Sequence, residues 1–135
     1  MKYFRVHTAD TAYKTQQPVG LFVAVWRLVE AKKVTDEEEK EYWENRKYFE
    51  KALPVPPFYE KGNPDHAVTW FKDTAEGKRI YEEMTFYRQM LKKYGVKLYI
   101  SECEEAPGEI IYEDDFQIAV ISQQKNGIIT REILL

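Results

Sequence analysis

IYEEMTFYRQMLKKYGVKLYI, residues 80–100, decides the fold class, because the spacing of its apolar side chains changes halfway along. The first part repeats them at helical intervals, at Ile80, Met84, Tyr87 and Leu91. Gly95 is the residue type that most often ends a helix, and residues 96–100 then alternate as in a half-buried strand. The stretch predicts a helix, capped by Asp73 or Thr74, that leads directly into a strand.

One strand and two helices are predicted near the N-terminus. Residues 3–8 alternate and are rich in β-forming side chains, and the polar residues 9–18 are expected to form a loop. Apolar residues then recur at helical spacing, which predicts a first helix over residues 20–33. Residues 35–38, TDEE, match a capping box and open a second helix. This helix should run to about residue 53, because prolines follow there and cannot continue it.

The remainder is predicted to form a proline-rich loop, a short helix and a run of strands. The loop covers residues 54–65. An Asn-Pro pair then predicts a short helix over residues 64–72, with His66 and Trp70 on one face. Strands are expected at residues 96–100, 109–112, 116–121 and 128–133. Lys-Asn-Gly at residues 125–127 predicts a hairpin before the last strand.

The size and composition fit one globular domain. The 135 residues are 44% hydrophobic, which is enough to fill a core. With the elements above, the sequence predicts a single α+β domain over residues 1–135. It has an N-terminal strand, three to four helices and then a mostly antiparallel C-terminal strand meander.

Charge and hydropathy argue against two classes of partner. The formal net charge is −3 and no block of Lys and Arg stands out, so nucleic-acid binding is not expected. The longest apolar stretch, residues 19–26, is far shorter than the ~20 residues of a membrane-spanning helix. The first residues also lack the pattern of a signal peptide. We therefore expect a cytoplasmic protein that binds neither nucleic acid nor membrane; the sequence leaves its oligomeric state open.

Thiol and metal chemistry are not expected. Cys103 is the single cysteine, and the two glutamates that follow it should raise its pKa. Two histidines are too few for a histidine-rich zinc site. Seven carboxylates lie between residues 102 and 115, but their spacing matches no calcium loop. This segment is either a solvated acidic loop or a surface for a basic partner.

Three residues are candidates for chemistry. Arg5 and His7 share one face of the first predicted strand, where they either grip a ribose and a phosphate or are solvated at the rim of the sheet. Glu113 lies between two β-like segments, beside aromatic residues. Such a carboxylate either has a raised pKa and bonds a sugar hydroxyl, or is a turn residue that faces water.

Three short pieces resemble small ADP-ribosyltransferase-type domains. They are the strand YFRVHT at residues 3–8, GLFVA at residues 20–24 and YEDDFQ at residues 112–117. The resemblance implies NAD as the cofactor. It further implies that His7 or Arg5 holds the NAD ribose, that Phe22 stacks near nicotinamide with Thr8 also at the cofactor, and that Glu113 orients the reacting ribose. Glu113, His7 and Arg5 are then the catalytic residues.

Hypotheses from three classes follow. The first is an NAD-using, ADP-ribosyltransferase-like domain. The second is a non-enzymatic protein-binding module, such as an inhibitor, an antitoxin-like protein or an adaptor, with a protein partner at the acidic segment or at residues 54–59. The third is a small-ligand domain with a pocket between sheet and helices. A cleft that joins Arg5, His7 and Glu113 favours the first, and a surface patch with these residues far apart favours the second.

Overall fold

The computed structural model describes residues 2–11, 16–124 and 126–133, and it confirms the predicted α+β class. The strands are β1 Tyr3–Thr11, β2 Pro18–Gly20, β3 Val68–Lys72, β4 Leu98–Cys103, β5 Glu109–Glu113, β6 Gln117–Ile121 and β7 Ile129–Ile133. The helices are α1 Leu21–Glu30, α2 Asp36–Ala52, α3 Ala75–Glu82 and α4 Thr85–Lys93, and a 3₁₀ turn covers Pro57–Lys61. None of the described helices combines the length and the apolar character that a membrane crossing requires.

The strands form one antiparallel sheet in the order β5-β6-β3-β1-β4-β7, with β2 paired to the second half of β1. The hairpin predicted at residues 125–127 is wrong in its pairing, and Lys125 itself lies outside the described residues. β6 pairs with β3 and β5, whereas β7 crosses to the far edge and pairs with β4. This crossing places Ile133 opposite Leu98, where it packs against the core on the helical side.

The helices cover one face of this sheet. Phe4 and Val6 of β1 point to that face, where they join a core with apolar residues of α1, α2 and α4. Tyr81 of α3 packs edge-on against Phe4, with 5.6 Å between the ring centroids. The other face carries a smaller apolar cluster without a helix, made by Tyr3, Val68, Trp70, Cys103, Ile118 and Val120. Ala106 and Ile128 pack against it from the loops.

The helix predicted over residues 64–72 is wrong, because this segment contains β3. The side-chain amide of Asn63 donates to the carbonyl of Ala67 and accepts from its backbone N–H, both at 2.9 Å, and so closes a loop instead of capping a helix. His66 has a positive φ of 56°. Residues 68–71 are β-branched and aromatic, types that favour strands. Trp70 is consequently a strand residue with 2% of its surface exposed, and it shares no helical face with His66.

The long helix predicted before Gly95 is divided in two. The hydroxyl of Thr85 and the guanidinium of Arg88 donate to carbonyls at the end of α3, at 2.6–3.3 Å, so the break leaves these acceptors satisfied. The loop predicted over residues 9–18 is also partly wrong. Residues 9–11 continue β1 and residue 18 begins β2, while residues 12–15 lie outside the described part of the chain.

Candidate functional site

His7 and Ser101 form a buried polar chain on neighbouring strands of the sheet. His7 Nε2 lies 2.7 Å from the Ser101 hydroxyl, and His7 Nδ1 lies 2.8 Å from the carbonyl oxygen of Thr8. The Ser101 oxygen continues the chain to the hydroxyl of Thr130 at 2.7 Å. Antiparallel pairing places Ser101 opposite Thr130, so the chain joins β1, β4 and β7.

The partners fix the direction of each hydrogen bond when His7 is neutral. A carbonyl only accepts, so Nδ1 carries the proton and donates it to Thr8. Nε2 is then an acceptor for the Ser101 hydroxyl, whose oxygen accepts from Thr130 in turn. Burial lowers the pKa of His7, and the nearby charge of Arg5 lowers it further, against the opposing effect of the Thr8 hydrogen bond.

A serine bonded to an oriented histidine has the geometry of an activated nucleophile and its base. Here, however, both residues are buried, and neither the concave surface at the β7 edge nor the groove beside β5 includes them. The Ser101 oxygen is also engaged by Thr130. The hydrogen bonds between His7, Ser101 and Thr130 are therefore best described as a polar connection between three strands.

Arg5 is brought next to His7, as the sequence predicts. Its guanidinium lies beside Gly20, where an added Cβ atom would be in ordinary van der Waals contact with Nη2 at 3.6 Å. Burial lowers the pKa of Arg5 to about 10, and the electrostatic interaction with the Tyr59 phenol group opposes this shift. When both side chains are protonated, Arg5 and His7 thus place two positive charges near each other on β1.

Glu113 is not brought to this pair. It lies at the end of β5, and its carboxylate makes a 2.5 Å ion pair with Lys72 of β3. β5 is three strands away from β1 in the sheet, a separation of roughly 14 Å at about 4.8 Å per strand. The Lys72 side chain is 11% exposed and that of Glu113 is 49% exposed, so the lysine is the buried partner.

The two predicted cofactor contacts are engaged in the fold. Phe22 belongs to α1, where its ring packs edge-on against Phe49 and Tyr87, with centroids 5.6 and 5.0 Å away. Thr8 is buried, and its hydroxyl accepts a hydrogen bond from the backbone of Asp10 at 3.2 Å. Of the motif at residues 20–24, only Gly20 lies in a strand, and the others begin α1.

The acidic segment is dispersed over several contacts. Glu102 and Glu104 pair with Arg131 and Lys2 at 3.4 and 3.5 Å. Asp114 accepts from the backbone N–H groups of residues 116 and 117 and so holds the turn between β5 and β6. Within the described ranges, no three His, Cys, Asp or Glu side chains are grouped so that they could hold a metal ion.

A small concave surface of about 210 Å³ lies at the β7 edge. Its lining residues are Lys2, Glu102, Cys103, Glu104, Gly127, Ile129 and Arg131. Burial and, to a lesser extent, Glu104 raise the pKa of Cys103 to about 11. The Cys103 thiol is therefore protonated at neutral pH. The two ion pairs of this concave surface balance its positive and negative charges.

A larger groove of about 440 Å³ lies between the 3₁₀ turn and β5, and we call it the β5 groove. It is lined by Pro57, Phe58, Lys61, Pro64, Asp65, Ile111 and Tyr112. Phe58 packs against Tyr59 and lies edge-on to Tyr112, at 4.8 and 6.4 Å between centroids. Gln117 anchors the start of the loop by donating from its amide to the carbonyl of Pro54 at 2.7 Å.

Sequence reasoning identified one wall of this groove and missed the other. The prolines and aromatic rings of residues 54–59 predict a surface for a partner. For Ile111 and Tyr112 of β5 the sequence predicts only a strand. Comparison of the chain with protein-family models, curated proteins and solved structures gives no match.

Proposed function

We propose that the protein is a protein-binding module whose docking surface is the β5 groove. The observation that carries this proposal is the groove itself, an open concave surface with five apolar or aromatic lining residues and two charged ones. Ile110, Ile111 and Tyr59, at or beside it, are exposed. Buried aromatic and aliphatic anchors in such pockets supply most of the binding free energy of protein interfaces.

The charge around the groove favours a basic partner segment. Glu109 belongs to β5 and Asp115 follows it, whereas Glu113 of the same strand is already paired with Lys72. Lys61 is the basic residue of the lining. Asp65 adds a further carboxylate at the rim. The ligand that fits is a segment with an apolar or aromatic anchor flanked by lysine or arginine, since complementary charges raise the rate of association and suppress wrong partners.

The edge of β5 is poorly suited to extension by a partner strand. The pairing register with β6 shifts between Ile110 and Tyr112, which marks a bulge at Ile111. Bulges and charged residues at a sheet edge disfavour pairing with a further strand. The partner is therefore expected to bind through side chains inserted in the groove and not through a backbone ladder.

A peptide-display selection against the purified protein tests this proposal. Enriched peptides should combine an apolar anchor with basic flanks. They should bind Ile111→Glu at least ~10-fold more weakly, the loss of about 1.4 kcal/mol expected for one anchor contact. The matched control is Val23→Glu, which introduces the same charge at an exposed apolar position of α1 and should leave binding unchanged.

Two results would overturn the proposal. One is a selection that enriches no peptide or only acidic peptides. The other is a set of enriched peptides that bind both variants as well as the original protein, because the binding surface then lies outside the β5 groove. Thermal unfolding of each variant shows whether a loss of binding is a loss of folded protein.

An NAD-using transferase is the second candidate function. The observation that favours it is the proximity of Arg5 and His7 on β1, because two such groups suit a nucleotide with its ribose and phosphates. Glu113 would have to leave Lys72 to act on a substrate held there. Thermal unfolding with and without NAD⁺ separates the two candidates.

A further inference from the structure

The two edges of the sheet differ in how well they can accept another strand. β5 is bulged at Ile111 and carries glutamates at both of its ends. β7 pairs with β4 in an unbroken register of five residue pairs, from Leu98 opposite Ile133 to Glu102 opposite Ile129. No described strand pairs with the outer side of β7. Within the described part of the chain, β7 is therefore a regular edge whose outer backbone donors and acceptors have no strand partner.

β7 also carries the most exposed large hydrophobic side chain among the described residues. Ile129 is 74% exposed, and Val55, the next most exposed of these side chains, is 57% exposed. A regular strand edge with an exposed β-branched residue is the arrangement that natural sheets usually avoid by bulges or charge. The β7 edge lacks the bulge that β5 has.

We propose that β7 is the surface through which two copies of this chain associate, by antiparallel pairing of β7 with β7 of the second copy. A two-fold axis perpendicular to the sheet relates two such strands, so each residue faces one that points to the same side of the sheet. The axis fits best at Thr130. Thr130 then faces its own counterpart, and Ile129 faces Arg131 of the second copy.

The strand is complementary to itself in this register. The aliphatic part of Arg131 covers Ile129, which removes the exposed isoleucine from water while the guanidinium stays solvated. Ile128 faces Glu132 in the same way. An axis at Arg131 would instead place two arginines opposite each other, and like charges in this position destabilise a pair of strands.

The difference between the edges also limits the assembly to two copies. Pairing through β7 uses this edge in both copies and leaves a β5 edge at each end of the joined sheet. Because β5 is bulged and acidic, the joined sheet does not extend further. The β5 grooves stay open at the two ends, so the dimer presents two of them, and the association is independent of the proposed function.

Sedimentation analysis tests the dimer over protein concentrations from about 1 μM to about 1 mM. The original chain should change from monomer to dimer with increasing concentration. Ile129→Lys should stay monomeric throughout, since a lysine at this position places like charges at the pairing edge. Ile110→Lys is the matched control, an exposed isoleucine of the other edge strand, and it should dimerise as the original chain does.

Three outcomes would overturn the proposal. The first is an original chain that remains monomeric at every concentration. The second is an Ile129→Lys variant that dimerises as well as the original, and the third is a dimer that Ile110→Lys dissociates, because pairing then uses β5. Ile129 is largely exposed, so its replacement should leave the unfolding temperature of the monomer unchanged, and this measurement verifies that the variant is folded.

Discussion

The hydroxyl of Ser101 donates to Nε2 of His7 over 2.7 Å, and Nδ1 of the same ring donates to the carbonyl of Thr8. Both ring nitrogens are therefore satisfied when the histidine is neutral. No buried side-chain polar atom of the described residues lacks a hydrogen-bond partner. The fold accommodates this buried histidine because its neutral tautomer matches the two hydrogen-bond partners. Protonation of His7 would remove the acceptor at Nε2, so the stability of the fold should depend on pH.

The stability of the protein should fall when His7 is protonated in the unfolded chain. Burial holds the pKa of His7 in the folded state below its ordinary value of 6.5. The unfolded chain consequently binds the proton first as the pH decreases, and the free energy of unfolding decreases below about pH 6.5 until the folded protein is protonated as well. Urea unfolding between pH 5 and 8 should show this slope, and His7→Gln should lack this contribution.

Tyr99→Phe is the control for this experiment. It keeps the ring that stacks on His7 at 6.1 Å and should keep the slope of the original protein. Identical slopes for the original protein and His7→Gln would show that His7 is not the titrating group.

Ser101→Ala should destabilise the protein by about 1–3 kcal/mol. The change leaves Nε2 of His7 buried without its donor, and an unsatisfied buried polar atom costs about that much. Thr130→Val removes the outer member of the same chain but leaves the bond between Ser101 and His7 in place, so its cost should be smaller. Urea unfolding at pH 7 measures both values. Equal losses of unfolding free energy for the two variants would show that the bond between Ser101 and His7 contributes no more than the bond between Ser101 and Thr130.

The sequence predicted those elements whose signal is local. The capping box at Thr35 is confirmed, since the Thr35 and Glu38 side chains each accept from the backbone of the other, at 3.1 and 2.9 Å. The start of α2 depends only on residues that are adjacent in the chain. The strands predicted for β5 to β7 are correct to within one residue, because their β-forming residues lie within short segments. The strand predicted over residues 96–100 exists, but it begins at Leu98 and continues to Cys103.

The sequence failed where contacts between distant segments decide the structure. The Asn-Pro pair at residues 63–64 predicts the start of a helix, but the Asn63 side chain hydrogen-bonds both the N–H and the carbonyl of Ala67, and β3 follows. β7 pairs with β4, where Ile133 is half-buried opposite Leu98, and it does not form the hairpin with β6 that the Asn-Gly pair predicts.

The candidate site shows the same limit. Arg5 and His7 meet because they are two positions apart on one strand, a relationship that alternation reveals. The ion pair of Lys72 with Glu113 joins β3 to β5, and no sequence pattern indicates it. The groove wall at Ile111 likewise depends on where β5 lies beside the 3₁₀ turn.

Acid should destabilise the protein through Glu38. The Glu38 carboxylate accepts from Lys93 at 2.7 Å, from the backbone of Thr35 and from Tyr94, and these bonds lower its pKa from 4.5 to about 2. The stabilisation is present above pH 4.5 and is lost as the pH decreases toward 2. Acid unfolding followed by circular dichroism should show a smaller loss for Glu38→Gln over this interval. Glu39→Gln, in the same helical turn, should lose as much stability in acid as the original protein does. If Glu38→Gln also loses as much, the Glu38 carboxylate does not contribute to the acid sensitivity.

Gly77→Ala should destabilise the protein by about 1–3 kcal/mol or more, because the site has no room for a methyl group. A Cβ atom here would lie 2.0 Å from the carbonyl oxygen of Lys72, which is backbone and cannot turn aside. Gly95→Asn is the matched control. Gly95 has a φ of 72° and no atom within 4 Å of an added Cβ, and asparagine tolerates that backbone conformation. Thermal unfolding should show a clear decrease for the first variant and a small one for the second; the reverse order would contradict the close approach of α3 to β3.

NAD⁺ at millimolar concentration should leave the unfolding temperature unchanged if the protein is a binding module alone. A nucleotide site saturated at a hundred times its Kd would stabilise the fold by about 2.7 kcal/mol, or roughly 2–8 °C. Glu113→Gln alone is ambiguous, because it also weakens the ion pair with Lys72. Lys72→Met breaks the same pair but keeps the carboxylate. An NAD⁺-dependent shift that persists in Lys72→Met and disappears in Glu113→Gln would therefore place the carboxylate at a bound nucleotide and favour the transferase over the binding module.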